Sequence, residues 1–387
     1  MQKKYLVILG DGMADEPLAE LGGKTPLEYA HTPHMDRIAR EGCMGMVQTV
    51  PDGFEAGSDI ANLGLLGYDP RTSYTGRGPL EAASMQIELG PSDIAYRCNL
   101  VTVRDGMMAD FSAGHISSAE GRALLSSLKN TMPSASFYPG ISYRNLLVLH
   151  GGSGSVTVPP HDIVGREIVS FLPRGGDSAA LISCMEKSRE VFSRNPVNLA
   201  RIAAGKPPAT QVWPWSGGKI PVLPPFREKF GKSGGVISAV DLLQGIARCA
   251  KMEVIAVPGA TGYLDTDYQA KARYALSALG HLDFLYLHVE APDEAGHLGD
   301  TREKVLAIER VDAMIGTIMQ DFSGIIAVLP DHPTPIRLKT HTADPVPFAV
   351  YGKGRDETRA FSEREGARGG YGTVRATGFL PLLFSSS

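Results

Sequence analysis

Cysteine is scarce in this sequence, and its cysteines stand far apart. The chain of 387 residues contains four, which are Cys43, Cys98, Cys184 and Cys249. Cysteine-ligated zinc sites, redox motifs and disulfide frameworks need closely spaced cysteines, and this spacing provides none. We therefore expect ordinary buried or half-buried thiols, which suit a reduced cytoplasm.

Long apolar runs and an excess of positive charge are also missing. No apolar run approaches the roughly 20 residues that a transmembrane helix needs, and the one near the N-terminus is too short for a signal peptide. The formal net charge of −4 predicts no broad basic surface for nucleic acid. We expect neither a membrane nor a nucleic-acid partner. Small anionic substrates stay open, because a local basic cluster can override the net charge, and the oligomeric state is unknown.

The remaining composition is that of an ordinary globular protein. Hydrophobic residues make up 43% of the chain and charged residues 21%, which argues against disorder or a fibrous repeat. At roughly 150 residues per domain, a chain of this length predicts two domains.

Short, β-rich apolar runs followed by Gly or Pro recur along the chain. They occupy residues 5–9, 254–257, 284–289, 325–329 and 347–351. Such runs are typical of buried parallel strands. Residues 301–320 place apolar side chains at helical spacing behind a capping Thr301, which predicts a strand–helix–strand unit. The repetition predicts an α/β fold with a doubly wound, mostly parallel sheet.

The middle of the chain has a different pattern. Alternating apolar stretches, Gly-rich turns and two helical patches near 119–129 and 178–192 are typical of an inserted, smaller α+β domain. We predict that residues 1–87 and 210–387 form one discontinuous domain, and that residues 88–209 form the insertion.

Carboxylate and imidazole side chains follow three of the predicted strands. They are Asp11 after the first run, Asp293 and His297 after the third, and Asp331 and His332 after the fourth, with His341 nine residues later. The carboxyl ends of parallel strands share one edge of a sheet, so these side chains converge there. Three Asp and three His supply ligands for two divalent ions, and the ligand types suit Mn²⁺, Mg²⁺ or Zn²⁺ without choosing between them. Two such ions support in-line displacement at phosphorus.

Each of these residues alone has a structural alternative. An Asp after a strand is often a turn former or a helix cap. The other histidines lack such a setting, and we interpret them as surface or packing residues: His31, His34, His150, His281 and His288.

A serine opens a short apolar helical stretch in Gly57-Ser58-Asp59-Ile60-Ala61-Asn62. The N-terminus of a helix favours an anion, which suits a serine alkoxide and the phosphate that it attacks. The alternative is a simple capping serine. No histidine lies near Ser58 in the sequence, so metal coordination is the more plausible route to its activation.

These segments together resemble one known family. The matching segments are Asp11-Gly12, the six residues that open with Gly57-Ser58, Asp293-Glu294-Ala295-Gly296-His297, Asp331-His332 and the run that begins His341-Thr342-Ala343-Asp344. The chain is similar, nearly end to end, to the cofactor-independent phosphoglycerate mutases of the alkaline phosphatase superfamily, and most of all to their archaeal-type branch. The resemblance implies one metal on Asp293, His297 and His341. It implies a second metal on Asp11, Ser58, Asp331 and His332.

The resemblance also implies a reaction and a substrate pocket. Ser58 would take the phosphoryl group from 3-phosphoglycerate and return it to O2 of glycerate, without 2,3-bisphosphoglycerate. In the inserted domain, Arg144 would bind carboxylate or phosphate, and His161 or Asp162 would move a proton. Two further residues match substrate-binding segments, namely His115 and Arg77.

Two alternatives belong to other classes of function. A homoserine kinase, or another phosphotransferase or phosphatase, is conceivable on the same scaffold. Gly231-Lys232-Ser233 imitates the end of a phosphate-binding loop, but Phe226 replaces its first Gly, so the motif fails. A non-enzymatic scaffold protein would be expected to have lost Ser58 or a metal ligand, and none is missing.

Overall fold

The computed structural model describes residues 3–129 and 131–385. Its strands within these ranges are β1 (Tyr5–Gly10), β2 (Gly42–Gln48), β3 (Ile94–Arg104), β4 (Met107–Asp110), β5 (Ala135–Ile141), β6 (Arg144–Leu149), β7 (Gln211–Gly218), β8 (Gly234–Ile237), β9 (Glu253–Val254), β10 (Phe284–Val289), β11 (Ile325–Leu329), β12 (Val346–Tyr351) and β13 (Thr373–Arg375).

Helices occupy much of the remaining chain. They are α1 (Pro26–Tyr29), α2 (Pro33–Glu41), α3 (Ser58–Leu65), α4 (Pro70–Ser73), α5 (Arg77–Ser84), α6 (Ser118–Ser126), α7 (Ser178–Ser193), α8 (Pro196–Ala203), α9 (Phe226–Phe230), α10 (Asp241–Cys249), α11 (Tyr268–Ala278), α12 (Ala291–Leu298), α13 (Thr301–Asp321), α14 (Glu363–Gly366) and α15 (Ala376–Phe384), with 3₁₀ turns at Ala19–Leu21, Pro160–Ile163 and Ile168–Phe171. Among the described helices, none is long and apolar enough to cross a membrane.

The chain divides into two compact units. Unit 1 joins the chain up to Tyr74 with the chain from Val222 onward, and its sheet has the order β13-β2-β12-β11-β1-β10-β8-β9. β1 lies between β10 and β11 and is parallel to both. All residues of these three strands are buried, as expected for parallel strands covered on both faces. The predicted α/β fold with a mostly parallel sheet is confirmed.

Apolar faces of helices cover this sheet. α13 runs the full length predicted for the helix between the third and fourth runs and buries Ile308, Val311 and Ile315. They join side chains of α2 and α11 in one core with the strands. The apolar periodicity of residues 301–320 therefore corresponds to the face of α13 that packs against the sheet.

Two details of the sheet differ from the prediction. β12 is antiparallel to both neighbours, β11 and β2, although its apolar run has the composition of a parallel strand. β9 has two residues, fewer than its apolar run.

Unit 2 spans Thr75–Pro221. Its sheet is antiparallel in the order β4-β3-β6-β5, and β7 also pairs with β3 in the antiparallel direction. Because β7 completes this sheet and α5 lies in the same unit, residues 75–87 and 210–221 group with unit 2, outside the predicted borders at 88 and 209. The use of this unit for substrate binding stays a prediction.

Candidate active site

Two acidic residues and one histidine meet where β1 and β11 end. Asp11 directly follows β1, and Asp331 and His332 follow β11 after one residue. Nε2 of His332 lies 3.5 Å from Asp11 Oδ1 and 3.5 Å from Asp331 Oδ2. All three are almost fully buried. The parallel pairing of β1 and β11 therefore brings together residues that are 320 positions apart in the chain.

A second cluster follows β10. Asp293 and His297 lie one turn apart on α12, and His341 reaches them from the loop after β11. Nε2 of His297 is 3.2 Å from Asp293 Oδ2 and 3.0 Å from Nε2 of His341. Nε2 of His341 is 3.4 Å from Asp293 Oδ1. The hydrogen bond with Asp293 raises the pKa of His297 to about 9.

His332 lies close to both clusters. Donor atoms of Asp293, His332 and His341 lie within 4.8 Å of one another, as do those of Asp11, Asp331 and His332. The fold thus gathers in one place the six Asp and His residues that the sequence singles out.

Ser58 lies at the same place, although it is distant in sequence from every histidine of the site. It is the first residue of α3, and Gly57 takes the capping position. Its Oγ lies 3.0 Å from His332 Nε2 and 3.5 Å from Asp11 Oδ2. Because Gly57 is the N-cap residue and Ser58 Oγ contacts His332 and Asp11, the simple capping alternative does not describe the geometry of Ser58.

The electrostatics of the site fit a cation. Burial, followed by repulsion from Asp331 and Asp293, raises the pKa of Asp11 well above its usual range. Among the described residues, Asp11 Oδ1 is buried and has no hydrogen-bond partner. A divalent ion would satisfy that oxygen and offset the repulsion between the carboxylates.

Several residues that contact the site were not among the predicted site residues. Nε2 of His288 lies 3.0 Å from Asp11 Oδ2, so the histidine that the sequence left as a packing residue contacts the site. Asn62 donates to Asp331 Oδ2 at 2.8 Å and accepts from Tyr286 Oη at 2.6 Å. Only Asn62 offered a signal, since it lies one helical turn after Ser58.

A buried ion pair lies beside these loops. Nζ of Lys304, on α13, donates to Asp15 Oδ2 at 2.7 Å, to Thr334 O at 2.8 Å and to Ala14 O at 3.1 Å. Lys304 and Asp15 are buried. The ion pair therefore ties α13 to the loops that follow β1 and β11.

Aromatic rings connect most of the residues that the sequence proposed in unit 2. The Arg144 guanidinium lies 6.0 Å from the Tyr143 ring, and the His115 ring lies 6.2 Å from it. Phe111 lies 5.6 Å from Tyr143 and 6.1 Å from His161. These residues therefore form one continuous group on unit 2.

His161 occupies a basic setting within this group. Its Nε2 is 3.6 Å from Asp162 Oδ1. Burial lowers its pKa, and the charges of Arg97 and Arg77 lower it further, against the opposing effect of Asp162. The sequence interpretation missed Arg97, whose guanidinium lies 4.5 Å above the Trp215 ring, which itself lies 5.4 Å from His161.

This fold and site define the class of protein. A mostly parallel α/β sheet that gathers carboxylates, imidazoles and a serine at the carboxyl ends of its strands is the arrangement of an α/β enzyme. The family model for 2,3-bisphosphoglycerate-independent phosphoglycerate mutase matches residues 39–198.

Relatives extend the match to the full chain. A 2,3-bisphosphoglycerate-independent phosphoglycerate mutase of Methanothrix thermoacetophila is 51% identical over 99% of this chain and 100% of its own length. One of Methanothermobacter thermautotrophicus is 50% identical over 98% of this chain and 97% of its own. A cofactor-independent phosphoglycerate mutase structure from Thermoplasma acidophilum matches with a TM-score of 0.69, at 27% identity over 98% of each chain. The chain belongs to the 2,3-bisphosphoglycerate-independent phosphoglycerate mutase family.

Proposed function

We propose that this protein interconverts 3-phosphoglycerate and 2-phosphoglycerate through a phosphoserine at Ser58, without 2,3-bisphosphoglycerate. The observation that carries the proposal is the setting of Ser58, whose Oγ is 3.0 Å from His332 Nε2 at the start of α3. A serine with a base at hydrogen-bond distance and a helix N-terminus behind it is arranged for nucleophilic attack on a phosphoryl group.

The chain's own groups would divide the work of the transfer. While His332 Nε2 holds no ion, it would accept the Ser58 hydroxyl proton, and the amide N–H groups at the start of α3 would stabilise the phosphoryl oxygens. With Nε2 bound to an ion, Asp11 Oδ2, which is 3.5 Å from Ser58 Oγ, would accept that proton instead. The phosphoryl group passes to Ser58 Oγ, leaving glycerate, and returns from Ser58 to the other glycerate hydroxyl.

Two divalent ions fit the donor set, with Mn²⁺, Mg²⁺ and Zn²⁺ as the candidates. Asp293, His297 and His341 would hold one ion. Asp11, Ser58, Asp331 and His332 would hold the other. When bound, the ions would stabilise negative charge on the serine oxygen and on the phosphoryl group.

Unit 2 supplies the groups that would bind glycerate. Arg144 and Arg77 are cations for the carboxylate or the phosphate, because guanidinium groups pair with both in bidentate fashion. His115 is exposed and would donate to a substrate oxygen. Burial and the nearby arginines lower the pKa of His161, which favours its neutral form, and with Asp162 it would move a proton between the glycerate hydroxyls.

The kinase alternative has less support. The curated relatives above carry the name phosphoglycerate mutase, and the phosphate-binding loop motif fails at Phe226. No observation on the site favours a nucleotide substrate over a phosphorylated acid.

The test is conversion of 3-phosphoglycerate by metal-stripped protein with Mn²⁺ or Mg²⁺ restored and no bisphosphoglycerate added. Ser58→Ala removes turnover and the phosphoryl adduct that mass spectrometry detects on the wild-type protein. Ser178→Ala is the matched control, because Ser178 is also half-buried and also opens a helix; it keeps full activity. A metal-loaded wild type without turnover would refute the mutase, and homoserine with ATP is then the next substrate pair.

A further inference from the structure

The hydroxyl of Thr334 lies between the two metal-ligand clusters. It donates to Asp293 Oδ1 and lies 3.3 Å from Nδ1 of His332. Thr334 is fully buried, so no solvent competes for these contacts. Hydrogen bonds of this kind fix the orientation of side chains that bind a metal ion.

Counting protons determines the direction of each hydrogen bond. A threonine hydroxyl has one proton, and the carboxylate of Asp293 can only accept. Once the hydroxyl donates to Asp293, it can only accept from His332, so Nδ1 of that ring must carry the proton. In the neutral ring, the form that binds a metal ion, the other nitrogen, Nε2, then has a lone pair that faces Ser58 Oγ at 3.0 Å.

We infer that Thr334 is a positioning residue that fixes the tautomer of His332, so that Nε2 accepts from Ser58 or binds a metal ion. The tautomer of His332 and the metal affinity follow from this geometry alone, and the effect on turnover rests on the proposed function. Thr334 would also couple the two clusters, because one hydroxyl orients a ligand in each.

The surrounding backbone holds Thr334 in this position. Its carbonyl accepts from Lys304 Nζ at 2.8 Å, and its N–H donates to Ala14 O at 3.2 Å. A Cβ on Gly12, whose φ is +61°, would lie 2.6 Å from Thr334 Oγ1, and a Cβ on Gly296 would lie 2.6 Å from Thr334 O. Both motif glycines therefore make room for this residue.

The side chain itself offers a clean test. Thr334→Val preserves the branched shape and removes the hydroxyl, whereas Thr334→Ser keeps the hydroxyl and removes a methyl group. Thr317→Val is the matched control, since Thr317 is half-buried on α13, away from the site, and its hydroxyl donates to Gln269.

The first readout is nuclear magnetic resonance of metal-free protein labelled with ¹⁵N-histidine, with the His332 signal assigned by its loss in His332→Asn. Wild type and Thr334→Ser show a protonated Nδ1 and an unprotonated Nε2, and Thr334→Val loses this preference. A wild-type ring protonated only at Nε2 would overturn the inference, whatever the enzyme's substrate proves to be.

The second readout is Mn²⁺ affinity, measured by competition with a chelator. Thr334→Val binds about 10- to 100-fold more weakly, the range for residues that orient metal ligands, and Thr334→Ser and Thr317→Val bind like wild type. At saturating metal, Thr334→Val lowers kcat while KM for 3-phosphoglycerate is unchanged. Wild-type affinity in Thr334→Val would contradict the positioning role. A wild type that binds Mn²⁺ but lacks turnover would refute only the mutase.

Discussion

Single buried side chains, each with a defined partner, hold the proposed metal ligands in place. His288 is fully buried, with Nε2 at 3.0 Å from Asp11 Oδ2 and Nδ1 at 3.3 Å from Ser238 Oγ. Burial lowers the pKa of His288 to about 3, so the ring is neutral. It donates to Asp11 through Nε2 and accepts from Ser238 through Nδ1, which orients the Asp11 carboxylate toward Ser58.

Removing this hydrogen bond should weaken metal binding. We expect His288→Leu to lower Mn²⁺ affinity by about 10- to 100-fold, because Asp11 loses its donor and can rotate. His288→Gln retains an N–H donor and should lose less. Calorimetric titration of Mn²⁺ into metal-free protein measures both. His31→Gln is the control, since His31 is exposed; equal affinities in all variants would contradict the role of His288.

At the scale of elements, α13 is anchored by a charge pair that is closed to solvent. The Lys304 and Asp15 side chains are both 0% exposed. Removal of one member leaves the other charged and unpaired, and that is strongly destabilising.

We expect Lys304→Met to lower the free energy of unfolding by about 3 to 5 kcal/mol. Lys304→Met combined with Asp15→Asn should be more stable than Lys304→Met alone, because no unpaired charge remains. Urea unfolding followed by circular dichroism measures the series. Arg337→Met, which breaks an exposed ion pair with Glu16, should change little. A double variant no more stable than Lys304→Met would show that charge burial is not the cause.

A second ion pair joins α6 and α8 within unit 2. Nη1 of Arg201, which is almost fully buried, lies 2.9 Å from Glu120 Oε2. Hydrogen bonds from Ser117 and from Arg201 lower the pKa of Glu120 to about 2. A carboxylate with a lowered pKa stabilises the folded state above its unfolded pKa, near 4.5, and this contribution is lost as the pH falls toward 2.

Glu120→Gln should therefore destabilise unit 2 by about 1 to 3 kcal/mol at pH 7, and the difference from wild type should shrink between about pH 4.5 and 2. The chain's two tryptophans, Trp213 and Trp215, both lie in β7, so tryptophan fluorescence reports unfolding of this unit. Glu167→Gln, at an exposed position, serves as the control. A difference that stays constant down to pH 2 would exclude titration of Glu120 as its source.

The sequence predicted the individual strands and helices better than it predicted which strands pair with each other. The apolar runs and the periodicity of 301–320 identified buried strands and α13, because burial on both faces leaves a signal in local composition. The antiparallel direction of β12 and the position of β1 between β10 and β11 left none, since they depend on pairing between distant segments. The sequence prediction also assigned β7 to the discontinuous domain and its partner, β3, to the insertion. The two strands are more than 100 residues apart, so no local pattern links them.

The site shows the same limit. Residues at strand ends were predicted because a strand end, a carboxylate and an imidazole make a recognisable local pattern. His288 and Thr334 were missed, since each acts through a contact that only the folded sheet creates. Their roles, like those of the predicted ligands, stay predictions until metal binding is measured.

At the scale of the whole molecule, a bound metal ion should stabilise the folded state. A metal that binds only the folded state adds about 2.7 kcal/mol at a free concentration 100 times its Kd. Hydrogen exchange followed by mass spectrometry should show added protection in the segments that carry Asp11, Asp293 and Asp331. The double variant Asp293→Ala/Asp331→Ala should show no gain. Protection that rises equally in that variant would place the ion elsewhere.

The central position of β1 has a consequence for biosynthesis. Its two partners begin at Phe284 and Ile325, so during translation at about 5 to 20 residues per second the strand waits on the order of 10 to 60 s for its first neighbour. Unit 2, by contrast, is continuous from Thr75 to Pro221, and every strand of its sheet has left the ribosome before then. The emerging chain must therefore keep one of its most hydrophobic segments unpaired while a later segment completes its sheet, which makes β1 the natural target of a chaperone.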